Sequence, residues 1–260
     1  MKNIEKVSFI HSYGLSTAVK KQFDQNRGAG MEQKTRKAKV VLILGLIGIM
    51  GVLLTIISDL ILLGRPDSAY SFFKMGTESM VDIAQWRITL GTFLGVIVLP
   101  LQLLGLIPVY YGLKPSGKVM PLIMVITVAH ALIMGVAFHI SYAFIGSGWK
   151  FHITDAGNKI AAEMIKQFDF YWKALVIIMI LEIVFSSVIY VLIVRKGNTL
   201  FPKWMAVLNP FCVVILTLFF IFILPAPVGG FVAPACLNIS TMVFFGVTTA
   251  RIGNKKLQKL

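Results

Sequence analysis

The chain has 260 residues, of which 57% are hydrophobic and only 14% charged, against about 25% charged in an ordinary soluble domain. With a mean hydropathy of +0.82, this excludes a disordered chain, a fibrous protein and a soluble enzyme, and leaves an all-α, polytopic membrane protein. The net charge of +14 would point to nucleic acid in a soluble protein, but here it must first be placed relative to the bilayer.

Residues 1–38 are polar and basic. They do not read as a secretory signal peptide, because the apolar run that follows is too long for an h-region. Met31 offers a second start just before that run, so residues 1–30 read either as a flexible tail or as an upstream extension.

A helix needs about 20 apolar residues to cross the hydrocarbon core. The first span covers Val40–Leu63 and holds one charge, Asp59. The second, Ile88–Leu113, is uncharged between Arg87 and Lys114, and its Gly91 and Gly95 form a GxxxG suited to close helix packing. The third lies in the uncharged stretch between Lys118 and Lys150, with its Gly146-Ser147-Gly148-Trp149 end expected at the interface. After it, Ala156–Trp172 places Ile160, Ala161, Met164, Ile165 and Phe168 at helical spacing. That segment reads as an amphipathic helix lying on the membrane or capping the bundle. The fourth span, Ala174–Val194, contains one charge, Glu182. The charge-free stretch Trp204–Ala250 is too long for one helix, and Pro225-Ala226-Pro227-Val228-Gly229-Gly230 divides it into spans five and six. The expected organisation is a basic tail (1–38), a six-span domain (39–252) and a short basic tail (253–260).

Lysine and arginine in the loops set orientation. Eighteen fall on the side of the N-terminus and seven on the other, so both termini are expected in the cytoplasm and the protein in the cell membrane. The positive charge is then a topology signal with an attraction to anionic headgroups. Membrane lipids are the expected partners, and nucleic acid is not.

Charged groups at membrane depth cost about 2.5–3.5 kcal/mol on insertion scales, so each needs a reason. Asp59 lies about 7 Å from the outer end of its span at 1.5 Å per residue, Glu182 and His130 near mid-membrane, and His139 close to the outer end of the third span. Asn238, followed by Ser240 and Thr241, lies mid-way along the sixth. Asp82, Trp86, Arg87, His152 and Asp155 gather at the outer mouth. The ionisable set thus collects in the outer half, which suggests a polar cavity open to the extracytoplasmic side. Bland readings compete: Asp59 pairing with Arg65, a protonated Glu182 or an Asn238 bridge holding helices together, histidines at interfaces. His130 and His139 are nine apart and point to opposite helix faces. The sequon Asn238-Ile239-Ser240 lies inside a span and reads as inert. Cys212 and Cys236 read as small buried hydrophobes.

HExxH, GxSxG, Walker and GxGxxG patterns are absent. A zinc site from Asp59, His139 and His152 is conceivable by residue type, but no metal and no cofactor is expected. The Ser58-Asp59-Leu60 end of the first span and the Pro225–Asn238 segment resemble uncharacterised bacterial integral-membrane proteins of unknown function. The resemblance covers most of the six-helix body and implies no activity.

The leading functional expectation is an outward-facing intramembrane pocket that binds or transports a small, partly lipophilic molecule. Glu182 and His130 would be its deep polar groups, Asp59, His139, Trp86 and Arg87 its mouth, and Asn238 a further relay or ligand-binding candidate. The alternatives are an intramembrane acid/base enzyme acting on a lipid through Glu182, Asp59 and a histidine, and a structural or accessory subunit.

Overall fold

The computed structural model describes residues 17–74, 76–154 and 159–254. The remainder of both basic tails and Asp155 lie outside the described residues. Backbone amides have no water to bond in a bilayer core, so helices are the natural solution for these apolar runs. The described residues are accordingly helical, with no strand among them. Helix α1 runs unbroken over Thr17–Leu63. A loop carries α2 (Ala69–Lys74) and a 3-10 turn, Thr77–Asp82. Then come α3 (Gln85–Val98), a 3-10 stretch (Leu99–Gly105) and α4 (Leu106–Leu113). Helices α5 (Val119–Thr154) and α6 (Lys159–Lys196) form a long hairpin. The chain ends with α7 (Pro210–Ile223), α8 (Val228–Val232), a 3-10 turn at Ala233–Ala235 and α9 (Cys236–Asn254).

Five of these segments are long and apolar enough to cross a membrane: Thr35–Leu63, Gln85–Ser116, Val119–Thr154, Lys159–Lys196 and Val228–Gly253. The expected fifth span falls short. Asn209-Pro210 opens α7 and Leu224-Pro225 closes it, which confines it to 14 residues, about 21 Å at 1.5 Å per residue against a core of about 30 Å. Helices α1 and α9 run antiparallel, with Gly64 beside Phe231 at one end and Gly45 beside Thr249 at the other. The start of the first span and the end of the last therefore share one end of the bundle. That end carries Lys37, Lys114, Arg195, Lys203 and Arg251 and is called here the basic end.

The Ala156–Trp172 expectation is corrected. Lys159–Trp172 is not a separate surface helix but the first part of the 38-residue α6. Part of its apolar stripe packs on the extension of α5, with Ala161 and Ile165 buried and Phe168 against Phe144 at 5.8 Å between centroids, while Ile160 and Met164 are exposed. Gly148 leaves room for Ile165, so the two helices stay together past Trp149. At about 54 Å, the 36 residues of α5 outrun the hydrocarbon core, and the hairpin projects beyond it.

Two larger apolar clusters fill the bundle, with a smaller third around Ala69, Ile221 and Ala233. One, toward the basic end, contains Val52, Leu113, Tyr190, Phe201 and Phe245; the other, at the opposite end, contains Leu62, Met80, Ile88 and Ile145. Asp59, Gln102, His139 and Asn238 lie between these two.

Candidate functional site

Proline breaks helices by removing an amide donor and by clashing with the carbonyl four residues back. Pro100 and Pro234 each stand at the start of a 3-10 stretch inside a span. Gln102 lies within the first stretch, and Asn238 lies one turn beyond Pro234. Both helices approach α1 closely. Gly48 of α1 meets Gly105 backbone to backbone, leaving no space for a Cβ. Ser58 Oγ donates to the Gly91 carbonyl at 2.5 Å, so the GxxxG of the second span does mark a close contact.

A chain of hydrogen bonds crosses this level. Gln102 Nε2 donates to Thr55 Oγ1 at 2.9 Å and to Asn238 Oδ1 at 3.0 Å. Thr55 passes its own proton to the Gly51 carbonyl at 2.8 Å. Asn238 Nδ2 donates to Asp59 Oδ2 at 2.8 Å, and His139 Nε2 lies 3.3 Å from Asp59 Oδ1. One branch, from Gln102 through Asn238, ends on Asp59 as its terminal acceptor, and the other, through Thr55, ends on the Gly51 carbonyl. Asp59 and His139 side chains are 8% and 4% exposed, so the pair is dry. His139 Nδ1 and Gln102 Oε1 are buried without a hydrogen-bond partner. Nδ1 faces α3 at Gly95, where a Cβ would overlap it and Ser58 Oγ. Glycine at 95 is what lets the imidazole seat against Asp59.

Asp59, His139 and Asn238 form the polar end of a cavity of about 130 Å³. The α5–α6 hairpin walls it with Leu132, Phe138 and Ile183, and α7 and α9 face it with Val214, Leu237 and Phe244. Ser186, Ser240 and Thr241 also line it, but their hydroxyls donate back to their own helices and offer only acceptor lone pairs. Phe138 stacks with Trp172 at 5.4 Å and Tyr142 at 5.0 Å, an aromatic wall between α5 and α6. Among the described residues, no three His, Cys, Asp or Glu come together in a group that could hold a metal ion.

Glu182 and His130 are not the deep groups of this cavity. They pair with each other at 2.5 Å on the outer surface of the hairpin, where the His130 side chain is 56% exposed. The nine-residue spacing did put the two histidines on opposite faces, one turned to the core and one to the outside. Arg87 is no mouth residue either. It donates to the carbonyls of Ile61 at 2.7 Å, Gly64 at 2.5 Å and Leu60 at 3.4 Å, and so caps the C-terminus of α1. Trp86 is exposed at the same end. Asp59 pairs with Asn238 and His139, whereas Arg65 donates to the Ser79 carbonyl. Burial lowers the Arg65 pKa, against the upward pull of Asp82 and Asp67. Asn238, the sequon residue, is spent on the hydrogen-bond chain. Cys212, expected to be buried, is exposed on α7.

Sequence reasoning missed Gln102 and Thr55, because both are neutral and stand among apolar neighbours. The available signal was Leu99-Pro100, which breaks the span beside Gln102.

No curated protein and no solved structure matches the chain. Residues 31–255, however, match one family along nearly the whole helical body, and the chain belongs to that family of unknown function (DUF6796).

Proposed function

We propose that the cavity binds a small, largely apolar molecule bearing one cationic, hydrogen-bond-donating group that addresses Asp59. The observation that carries this reading is the convergence of the hydrogen-bond chain on a dry carboxylate at the end of an apolar cavity. Asn238 and His139 fill one position on each oxygen and leave further lone pairs for a ligand. An incoming cation would compete with His139 for the same carboxylate. The volume sets the size class, since a dry apolar cavity of about 150 Å³ accepts benzene.

Benzylamine is a suitable probe, with toluene as its uncharged counterpart. Calorimetric titration of the protein in lipid nanodiscs should show benzylamine binding. Asp59→Asn should weaken benzylamine by at least about tenfold, or 1.4 kcal/mol, and leave toluene unchanged. Equal benzylamine affinity in wild type and folded variant would overturn the reading and leave the chain of polar residues as a structural bridge.

A further inference from the structure

A second concavity opens at the basic end, away from Asp59. It is a groove of about 620 Å³ between α1, α4 and α5. Val40 and Leu44 of α1, Leu103 and Ile107 of the second span, and Leu122 and Val125 of α5 form its apolar walls. Lys37 and Tyr111 stand at its head. The Lys37 ammonium lies 5.6 Å and the Lys114 ammonium 5.4 Å from the centre of the Tyr111 ring, so one aromatic ring gathers two cations. Neither lysine is ion-paired with a carboxylate among the described residues. The sequence from Ile83 to Thr154, which supplies two of the three walls, contains no Asp or Glu.

Two like charges held over one ring repel each other, and the ring returns only about 0.5–1 kcal/mol per exposed cation. An anion between them removes that conflict. Below the lysines the groove follows α1 from Lys37 to Leu44, about 10 Å at 1.5 Å per residue, and it is lined by aliphatic side chains. A soluble anion has no use for that length, and a zwitterionic lipid brings its own cation to a place that already holds two. We propose that this groove holds an acyl chain of an anionic phospholipid whose phosphate sits between Lys37 and Lys114. Basic pockets between membrane helices are suited to such headgroups, with each lysine contributing about 1 kcal/mol near the surface.

Titration of the detergent-solubilised protein with phosphatidylglycerol, followed by native mass spectrometry, tests this. Phosphatidylcholine with the same chains and inorganic phosphate serve as the comparison probes. Phosphatidylglycerol should bind at least about tenfold tighter than phosphatidylcholine. K37Q/K114Q should weaken it on the order of 30-fold, the equivalent of two such lysines, whereas K37R/K114R should stay near wild type. Millimolar phosphate should fail to displace the lipid. Ala129→Phe, which narrows the apolar part and leaves both lysines in place, should also weaken phosphatidylglycerol, and it carries the test if the lysine variant does not fold. Equal affinity for the two lipids, unchanged affinity in K37Q/K114Q, unchanged affinity in Ala129→Phe, or full displacement by phosphate would each overturn the proposal.

Discussion

Replacing Gln102 with leucine tests whether the buried hydrogen-bond chain holds the spans together. The side chain is fully buried and leucine is close to it in size, so packing changes little. Two interhelical hydrogen bonds disappear, to Thr55 and Asn238. Such bonds average about 0.6 kcal/mol each in membrane proteins and reach about 1.7. Asn238 Oδ1 then loses its donor, and an orphaned buried acceptor costs about 1–3 kcal/mol. Thr55 loses little, since its hydroxyl keeps the Gly51 carbonyl. One term opposes these, because Gln102 Oε1 has no partner to begin with, and removing it relieves that cost. The net loss should be about 1–3 kcal/mol, read as reversible unfolding in bicelles by steric trapping or by a denaturing detergent. Asn238→Leu alone should cost a similar amount, and the double variant clearly less than the sum, with a coupling of about 1 kcal/mol or more. Additive losses, or a Gln102→Leu protein as stable as wild type, would refute the idea that the two amides act as one unit.

Gly48→Val should destabilise by about 2–3 kcal/mol or abolish folding in the same assay, because overpacking is costly and the obstacle is Gly105 backbone rather than a movable side chain. Arg87→Met should cost about 1.5–3 kcal/mol, the range for hydrogen bonds to a charged group, and hydrogen exchange should show fraying confined to the last turn of α1. Gly95→Ala should displace His139 from Asp59, detected as a changed imidazole chemical shift. The outer pair should behave unlike the inner one: Glu182→Leu with His130→Leu should be neutral or stabilising, as replacing both partners of an ion pair often is, and either single change should be the worse one.

The fold was legible wherever length and charge decide. Five of the expected spans and the Pro225–Gly230 turn stand where the apolar runs placed them, because crossing a bilayer needs only length and low charge. The fifth span was not, because Trp204–Ala250 is uniformly apolar and the effective ends of the fifth helix are prolines, Pro210 and Pro225, rather than charges. Asp59, His139 and Asn238 were singled out as polar residues within spans, and the structure brings the three together. Which face each residue takes was not legible, because the lipid-facing and bundle-facing sides of these helices are equally apolar. Glu182 therefore read as a deeper group than Asp59, although it pairs with the exposed His130 and does not line the cavity. Only the relative angle of His130 and His139, fixed by helical geometry alone, could be read in advance.

The same residues explain how a cavity persists inside this bundle. The α5–α6 hairpin is fastened to the rest beyond the membrane end, where Lys150 Nζ donates to the Val81 carbonyl at 2.8 Å and Thr77 Oγ1 to Asp169 at 3.1 Å. It is fastened again toward the basic end, where the Phe211 amide donates to Ser187 Oγ at 2.8 Å. Between these ties the hairpin stands off from α7 and α9, and the cavity lies in that interval. The polar tie at this level is His139 to Asp59. A group that competes for Asp59 therefore acts on the middle of the hairpin while both ends stay fixed. It can shift α5 locally without releasing it, so the carboxylate at the head of the cavity is also the point where binding would be felt by the fold.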